Sequence, residues 1–304
     1  MKNNLFKTSV AAFVAMSISQ FTPVFAEAFT INTAQGEVTI AKIPEKIAAF
    51  DVAVIDNLDA LGIKPAGILN NLYVDYLDHV ANSGAVDVGS FFEPNFEAVS
   101  ALAPDLSIVA TRSASQLEKL SEISQTIDLT VDWKNMLESS IEIFNTTAVI
   151  VGKTEQADKI VAKLRASVEE LRGIVKDKGK ALIVMTIGPK MSTYGPSSRF
   201  GWLHDDLGIE AAVNDKDAPV HGSTITHEFI LNANPDWLII IDRDLAVSGE
   251  AVAGDTLNNE LIAKTTAWKK DQVIYINPAS FYISGNGIQS VQASVNELIT
   301  AFSK

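Results

Sequence analysis

Cysteine is absent from the 304 residues. That absence excludes disulfides, thiol catalysis and thiolate metal sites together, and it leaves no thiol for a lipid anchor. Histidine is scarce: His79, His204, His221 and His227 are the only four, and no two share a helix face at metal-ligand spacing. Positive charge is in deficit, with 24 lysines and arginines against 37 acidic residues and a net charge of −13. Such a surface disfavours nucleic acid and anionic membrane, so a knot of arginines would be a local exception built for an anion. Long apolar runs are missing too: the run at residues 10–18 is nine long, where a bilayer-spanning helix needs about 20. Catalytic motifs are no easier to find. No Gly-x-Ser-x-Gly elbow or phosphate-loop lysine motif occurs, and Gly285-Asn286-Gly287 lacks the third glycine of a dinucleotide fingerprint. An enzyme is not expected.

What is present begins with a leader. Lys2 and Lys7 precede the apolar run, and Val24 and Ala26 hold the small-residue positions before a cut ahead of Glu27. Residues 1–26 therefore read as a secretory signal peptide. Its loss leaves 22 basic against 37 acidic side chains, a net charge of −15. An exported chain with no thiol to carry a lipid is expected to be soluble and held in a periplasm.

Residues 154–178 read as one long helix. Ile160, Leu164, Val168, Leu171 and Val175 recur at steps of three or four, with Lys163, Arg165, Glu169 and Glu170 on other faces. Thr154 suits its cap, Lys176 and Lys178 its last turn, and Gly179 its stop. At about 1.5 Å per residue it would span roughly 35 Å, a domain's width.

The chain repeats itself on either side of that helix. Phe96-Glu97-Ala98-Val99 leads to Pro104-Asp105, a buried strand pattern and Arg112; His227-Glu228-Phe229-Ile230 leads to Pro235-Asp236, a second such strand and Arg243. In both units a Glu lies seven residues before the Pro and an Arg eight residues after it. Asp59-Ala60-Leu61-Gly62-Ile63 is likewise echoed by Asp205-Asp206-Leu207-Gly208-Ile209. Each unit reads as short helix, Pro-Asp turn, strand and terminal Arg. The expected fold is α/β: two similar lobes with mostly parallel sheets, residues 27–153 and 179–304, joined by the helix at 154–178. An edge hairpin is expected near residues 28–43 and an amphipathic closing helix at 289–302.

Ligands of open α/β sheets bind at the carboxyl ends of strands. Arg112 and Arg243 fall there, one per lobe, and Arg199 lies in a loop after a second-lobe strand. A single such Arg is more often an ion-paired surface residue, but two at equivalent places favour a shared polyanionic, oxygen-rich ligand held by bidentate bonds. His221 sits in a loop just before the second unit. His204 and His227 fall in helical segments, as structural or solvated residues. Tyr282 precedes a tight glycine turn, where it is either a packed aromatic or a ligand contact. Glu97 and Glu228 either complement a helix dipole, worth about 0.3–1 kcal/mol, or face a partner.

Residues 88–97, the two Pro-Asp units, the single linker helix and Ser198-Arg199-Phe200-Gly201 together resemble the periplasmic binding proteins for iron–siderophore complexes. His221-Gly222-Ser223 and Tyr282 with Ser284-Gly285-Asn286-Gly287 are similar to the catecholate, enterochelin-uptake branch. The resemblance implies a class III binding-protein fold with no intrinsic cofactor, carrying a ferric siderophore to an inner-membrane ABC permease as a monomer. Arg112, Arg199 and Arg243 would form the basic pocket. His221 and Tyr282 would complete the Fe(III) coordination of a tetradentate ligand, and Glu97 and Glu228 would dock on the permease. Haem, a hydroxamate siderophore, or a Zn or Mn ion are the alternative cargoes.

Overall fold

The computed structural model describes residues 28–214 and 219–304; the leader read at residues 1–26 lies outside them. Strands β1 (Phe29–Thr33) and β2 (Gly36–Ile40) form the antiparallel edge hairpin. Then β3 (Ile47–Ala49), β4 (Gly67–Ile68), β5 (Val86–Asp87), β6 (Leu106–Val109) and β7 (Thr126–Asp128) build a wholly parallel sheet in the order β5-β4-β3-β6-β7. Its central strands β3 and β6 are buried at every residue, which explains their runs of apolar and β-branched residues in place of alternation.

The second sheet contains β8 (Lys180–Ile187), β9 (Lys190–Tyr194), β10 (Glu210–Ala211), β11 (Ser223–Ile225), β12 (Trp237–Asp242) and β13 (Val273–Tyr275). Its order is β11-β9-β8-β12-β13, with β10 beside the start of β8. The strands β10, β8, β12 and β13 are parallel, while β9 runs antiparallel to both of its neighbours, β8 and β11. Strands β9 and β11 are an addition to the sequence expectation. The chain reverses at Gly188-Pro189, with Gly188 at φ 51°, and the polar Ser192 and Thr193 hide the strand that follows.

The internal repeat is geometric as well as sequential. Helices Phe96–Leu102 and His227–Ala233 both have seven residues, N-cap side chains from Asn95 and Thr226, and left-handed C-caps at Ala103 and Asn234. Each Pro-Asp turn then clamps the neighbouring strand. Asp105 accepts the Lys46 N–H at 2.9 Å just before β3, and Asp236 accepts the Lys180 N–H at 2.9 Å at the start of β8.

In chain order, the helix Thr154–Val175 joins the two sheets, with Leu164, Val168, Leu171 and Val175 buried along the expected stripe. It differs from expectation at both ends. Lys153, not Thr154, occupies the N-cap, and the helix stops three residues before Lys178, where Asp177 turns left-handed at φ 65°. The Lys178 carbonyl accepts instead from the Trp237 indole at 3.0 Å. The closing helix Ile288–Phe302 packs on the linker helix and also on helix Val52–Ala60 of the first lobe, so the last elements of the chain complete both lobes. No helix among the described residues is long and apolar enough to cross a membrane.

Candidate functional site

Each expected arginine leaves the carboxyl end of a strand by a different local device. Arg112 follows β6 through Thr111, whose backbone is left-handed at φ 44°, a region β-branched residues rarely enter. Two bonds hold it there: Thr111 Oγ1 donates to the buried Asp51 Oδ2 at 2.8 Å, and the Thr111 N–H donates to Thr130 Oγ1 at 2.8 Å. Burial pushes the Asp51 carboxyl up, while nearby Arg112, the Thr111 hydroxyl and the Ala53 and Val54 amides pull it down less strongly. Arg243 opens a short helix, Arg243–Ser248, directly after β12, and the buried Asp242 caps that helix through the Leu245 N–H. Arg199 follows β9 in a tight loop whose close approach requires Gly201: a Cβ there would lie 2.6 Å from the Gly195 carbonyl oxygen.

The three guanidinium groups converge on Tyr282, in a single π-helical turn, Ala279–Ile283. Such turns, with their widened backbone, are frequent at functional sites. Arg112 donates from Nη2 to the Tyr282 carbonyl at 2.9 Å and from Nη1 to the Ile283 carbonyl at 3.1 Å. Arg199 donates to the same Tyr282 carbonyl at 2.7 Å and places Cζ 4.6 Å from the ring centroid. Arg243 Nε lies 3.4 Å from the phenolic oxygen. Among the described residues, none of the three arginines forms an ion pair with a carboxylate.

The electrostatics follow from that crowding. Burial, and then the nearby Arg112 charge, lower the Arg199 pKa to about 10, so it stays a cation at neutral pH. Its Nε is buried with no hydrogen-bond partner among the described residues. For the Tyr282 phenol, burial opposes ionisation, but the Arg243 hydrogen bond and the three positive charges outweigh it, leaving the pKa below the ordinary 10.0. The site can therefore hold an anion beside a phenol whose ionisation its neighbours favour.

Aromatic rings wall the arginines in. Arg199 lies over Trp133 at 5.0 Å and Phe200 at 5.2 Å, and Arg112 over Phe91 at 5.4 Å. Cation–π contacts of this kind stabilise by about 0.5–2 kcal/mol each. The sequence reading gave Phe91 and Trp133 no role. Trp133 follows β7 by a few residues, so the strand-end rule that found Arg112 would also have found it.

His221 stands apart from these contacts. Its loop is attached to the site by the Arg199 N–H, which donates to the Val220 carbonyl at 2.9 Å, yet the His221 side chain is exposed. Both other histidines discussed with it bond to carbonyls, His204 to Ile209 at 2.7 Å and His227 to Thr256 at 2.8 Å. Glu97 and Glu228 are exposed, each the second residue of its matching seven-residue helix.

Two α/β lobes that send arginines to one tyrosine describe a two-lobed binding protein, and the chain belongs to the periplasmic binding protein family, whose model matches residues 47–279. Ferric-anguibactin-binding protein FatB of Vibrio anguillarum is 32% identical over 274 residues, covering 88% of this chain and 85% of FatB. Petrobactin-binding protein YclQ of Bacillus subtilis is 31% identical over 262 residues, covering 85% and 83%; its crystal structure superposes with a TM-score of 0.87 over 91% of this chain and 99% of YclQ. The periplasmic catecholate-siderophore binding protein VctP of Vibrio cholerae superposes with a TM-score of 0.83 at 26% identity, covering 90% and 99%. This is a family of binding proteins, not enzymes.

Proposed function

We propose that the protein captures an anionic ferric siderophore of the catecholate type outside the cytoplasmic membrane and delivers it to an ABC permease. One observation carries this reading: three arginines from two lobes, none paired with a carboxylate among the described residues, surround one tyrosine of lowered pKa. Three like charges held this close repel one another, and an anionic ligand relieves the repulsion while accepting charge-assisted hydrogen bonds. A bare Zn or Mn cation would meet that repulsion instead. The relatives FatB, YclQ and VctP, named for ferric anguibactin, petrobactin and catecholate siderophores, support the same class of cargo.

In this reading Arg112, Arg199 and Arg243 bind the negative catecholate oxygens. Tyr282 offers a phenolate and His221 an imidazole to Fe(III), a hard ion suited to oxygen donors, where a tetradentate ligand leaves two positions open. The lobes are residues 27–153 and 179–304, on either side of the linker at 154–178. Glu97 and Glu228, matched across the repeat, orient a monomeric carrier on its permease.

The test is a fluorescence titration with a ferric bis-catecholate, a ferric hydroxamate and haem. Trp133, stacked on Arg199, should report binding by quenching. Tight 1:1 binding of the bis-catecholate with no comparable binding of the other two is expected; preference for haem or the hydroxamate would overturn the catecholate assignment.

A further inference from the structure

A buried polar chain ties the Tyr282 turn to the opposite lobe. Asp56, fully buried on helix Val52–Ala60, accepts the Gln289 N–H at 2.8 Å and the Ser290 N–H at 3.1 Å. Beside it, Asn57 accepts the Ile288 N–H at 2.9 Å. The helix Ile288–Phe302 thus takes its cap from a residue 234 positions away, not from its own Gly287, which has no side chain to offer. Gly287 lies so close over Asp56 that a Cβ would fall 2.5 Å from the carboxyl carbon. The Tyr76 hydroxyl donates to Asp56 Oδ2 and sits 2.7 Å from each of the Ser284 and Ser290 hydroxyls, which also bond each other. Ser284 is the next residue after Ile283, whose carbonyl, with that of Tyr282, receives the Arg112 guanidinium.

We infer that Tyr76 is a positioning residue of the ligand site: bridging Asp56 to Ser284, it fixes the turn that aims the Tyr282 phenol and carbonyl at the arginines. This rests on the ferric-catecholate reading. A buried carboxylate is expensive to desolvate, and a local cap would have satisfied the helix end more cheaply. What the distant arrangement adds is a fixed place for residues 282–284 relative to the lobe that holds Arg112. A phenolate must meet iron at bonding distance, so small displacements of this turn weaken ligation steeply.

The test uses Tyr76→Phe, which removes only the hydroxyl, and Ser284→Ala, which leaves the Asp56 cap intact should the first variant fold poorly. In the ligand-free variants, amides of residues 281–290 should exchange with deuterium about tenfold faster than in the wild type, the consequence of losing one or two hydrogen bonds. Their complexes with a ferric bis-catecholate should show a weakened phenolate–iron absorption band and about tenfold lower affinity. Unchanged exchange overturns the inference whatever the ligand. Faster exchange with the band and affinity intact also overturns it, since the chain would then be structural only. If the wild type itself yields no complex, the ligand reading fails, and the exchange comparison alone still decides whether Tyr76 holds the turn.

Discussion

Arg199 grips Tyr282 twice, by a 2.7 Å hydrogen bond to its carbonyl and by its guanidinium 4.6 Å from the ring centroid. One cation thereby fixes the main chain of the turn and lowers the cost of ionising its phenol. Arg112 shares the same carbonyl from the other lobe, so a single oxygen atom joins two strand ends.

Replacement of Arg112, Arg199 or Arg243 by Ala is expected to cost about 1.5–3 kcal/mol of ligand binding, the range for a charged hydrogen bond, or roughly 10- to 150-fold in Kd. Titration of each variant with a ferric bis-catecholate measures it. Wild-type affinity in all three would remove the anion from this site.

Direct iron ligation has an optical signature. Bound ferric ligand should differ in visible absorption from the free complex through a phenolate charge-transfer band, and Tyr282→Phe should abolish the difference. His221→Ala should weaken tetradentate ligands more than hexadentate ones, since only the former leave a coordination position to fill. Equal losses for both would place His221 outside the coordination sphere.

The two matched glutamates separate docking from stability. Glu97→Arg and Glu228→Arg are expected to leave ligand affinity and Tm nearly unchanged while stopping iron uptake in cells that depend on this carrier. Intact uptake with a small loss of Tm would mean that the carboxylates only complement their helix ends.

Stability should depend on pH through Asp56. Burial raises its pKa from the ordinary 3.8 to about 7, although Tyr76 and the Gln289 and Ser290 amides pull it down; Asp59, itself bonded to His79, adds to the rise. The fold holds a proton that the unfolded chain has released between those values. This contribution to stability is complete below about pH 3.8 and lost as pH rises through about 7, at up to about 1.4 kcal/mol per pH unit. Urea unfolding at a series of pH values should show that slope in the wild type and a flatter one in Asp56→Asn. The same slope in both would assign it to other groups.

The sequence made legible whatever repeats at fixed spacing. Matched helices, Pro-Asp clamps and strand-end arginines depend on local residue type, so they survive translation from sequence to structure. The antiparallel pair β9 and β11 was hidden because Ser192, Thr193 and Thr224 break the apolar pattern that betrays a buried strand. The linker ends early at Val175 because Asp177 turns left-handed, a conformation its side chain does not announce. Least legible was Asp56. In sequence it is one of two acids on a mostly apolar helix, and its partners Tyr76, Ser284 and Ser290 are brought to it only by the tertiary fold.

The cap that Asp56 supplies to a helix near the chain's end also constrains the order of assembly. In a chain made from its amino terminus, Asp56 emerges long before residues 289 and 290, whose amides it must bind. Until they arrive it remains a carboxylate without its buried partners, and the apolar surface of helix Val52–Ala60 lacks the cover of helix Ile288–Phe302. Helix Val52–Ala60 therefore gains its full set of native contacts only once residues 288–302 are in place, and closing so long a loop slows that step.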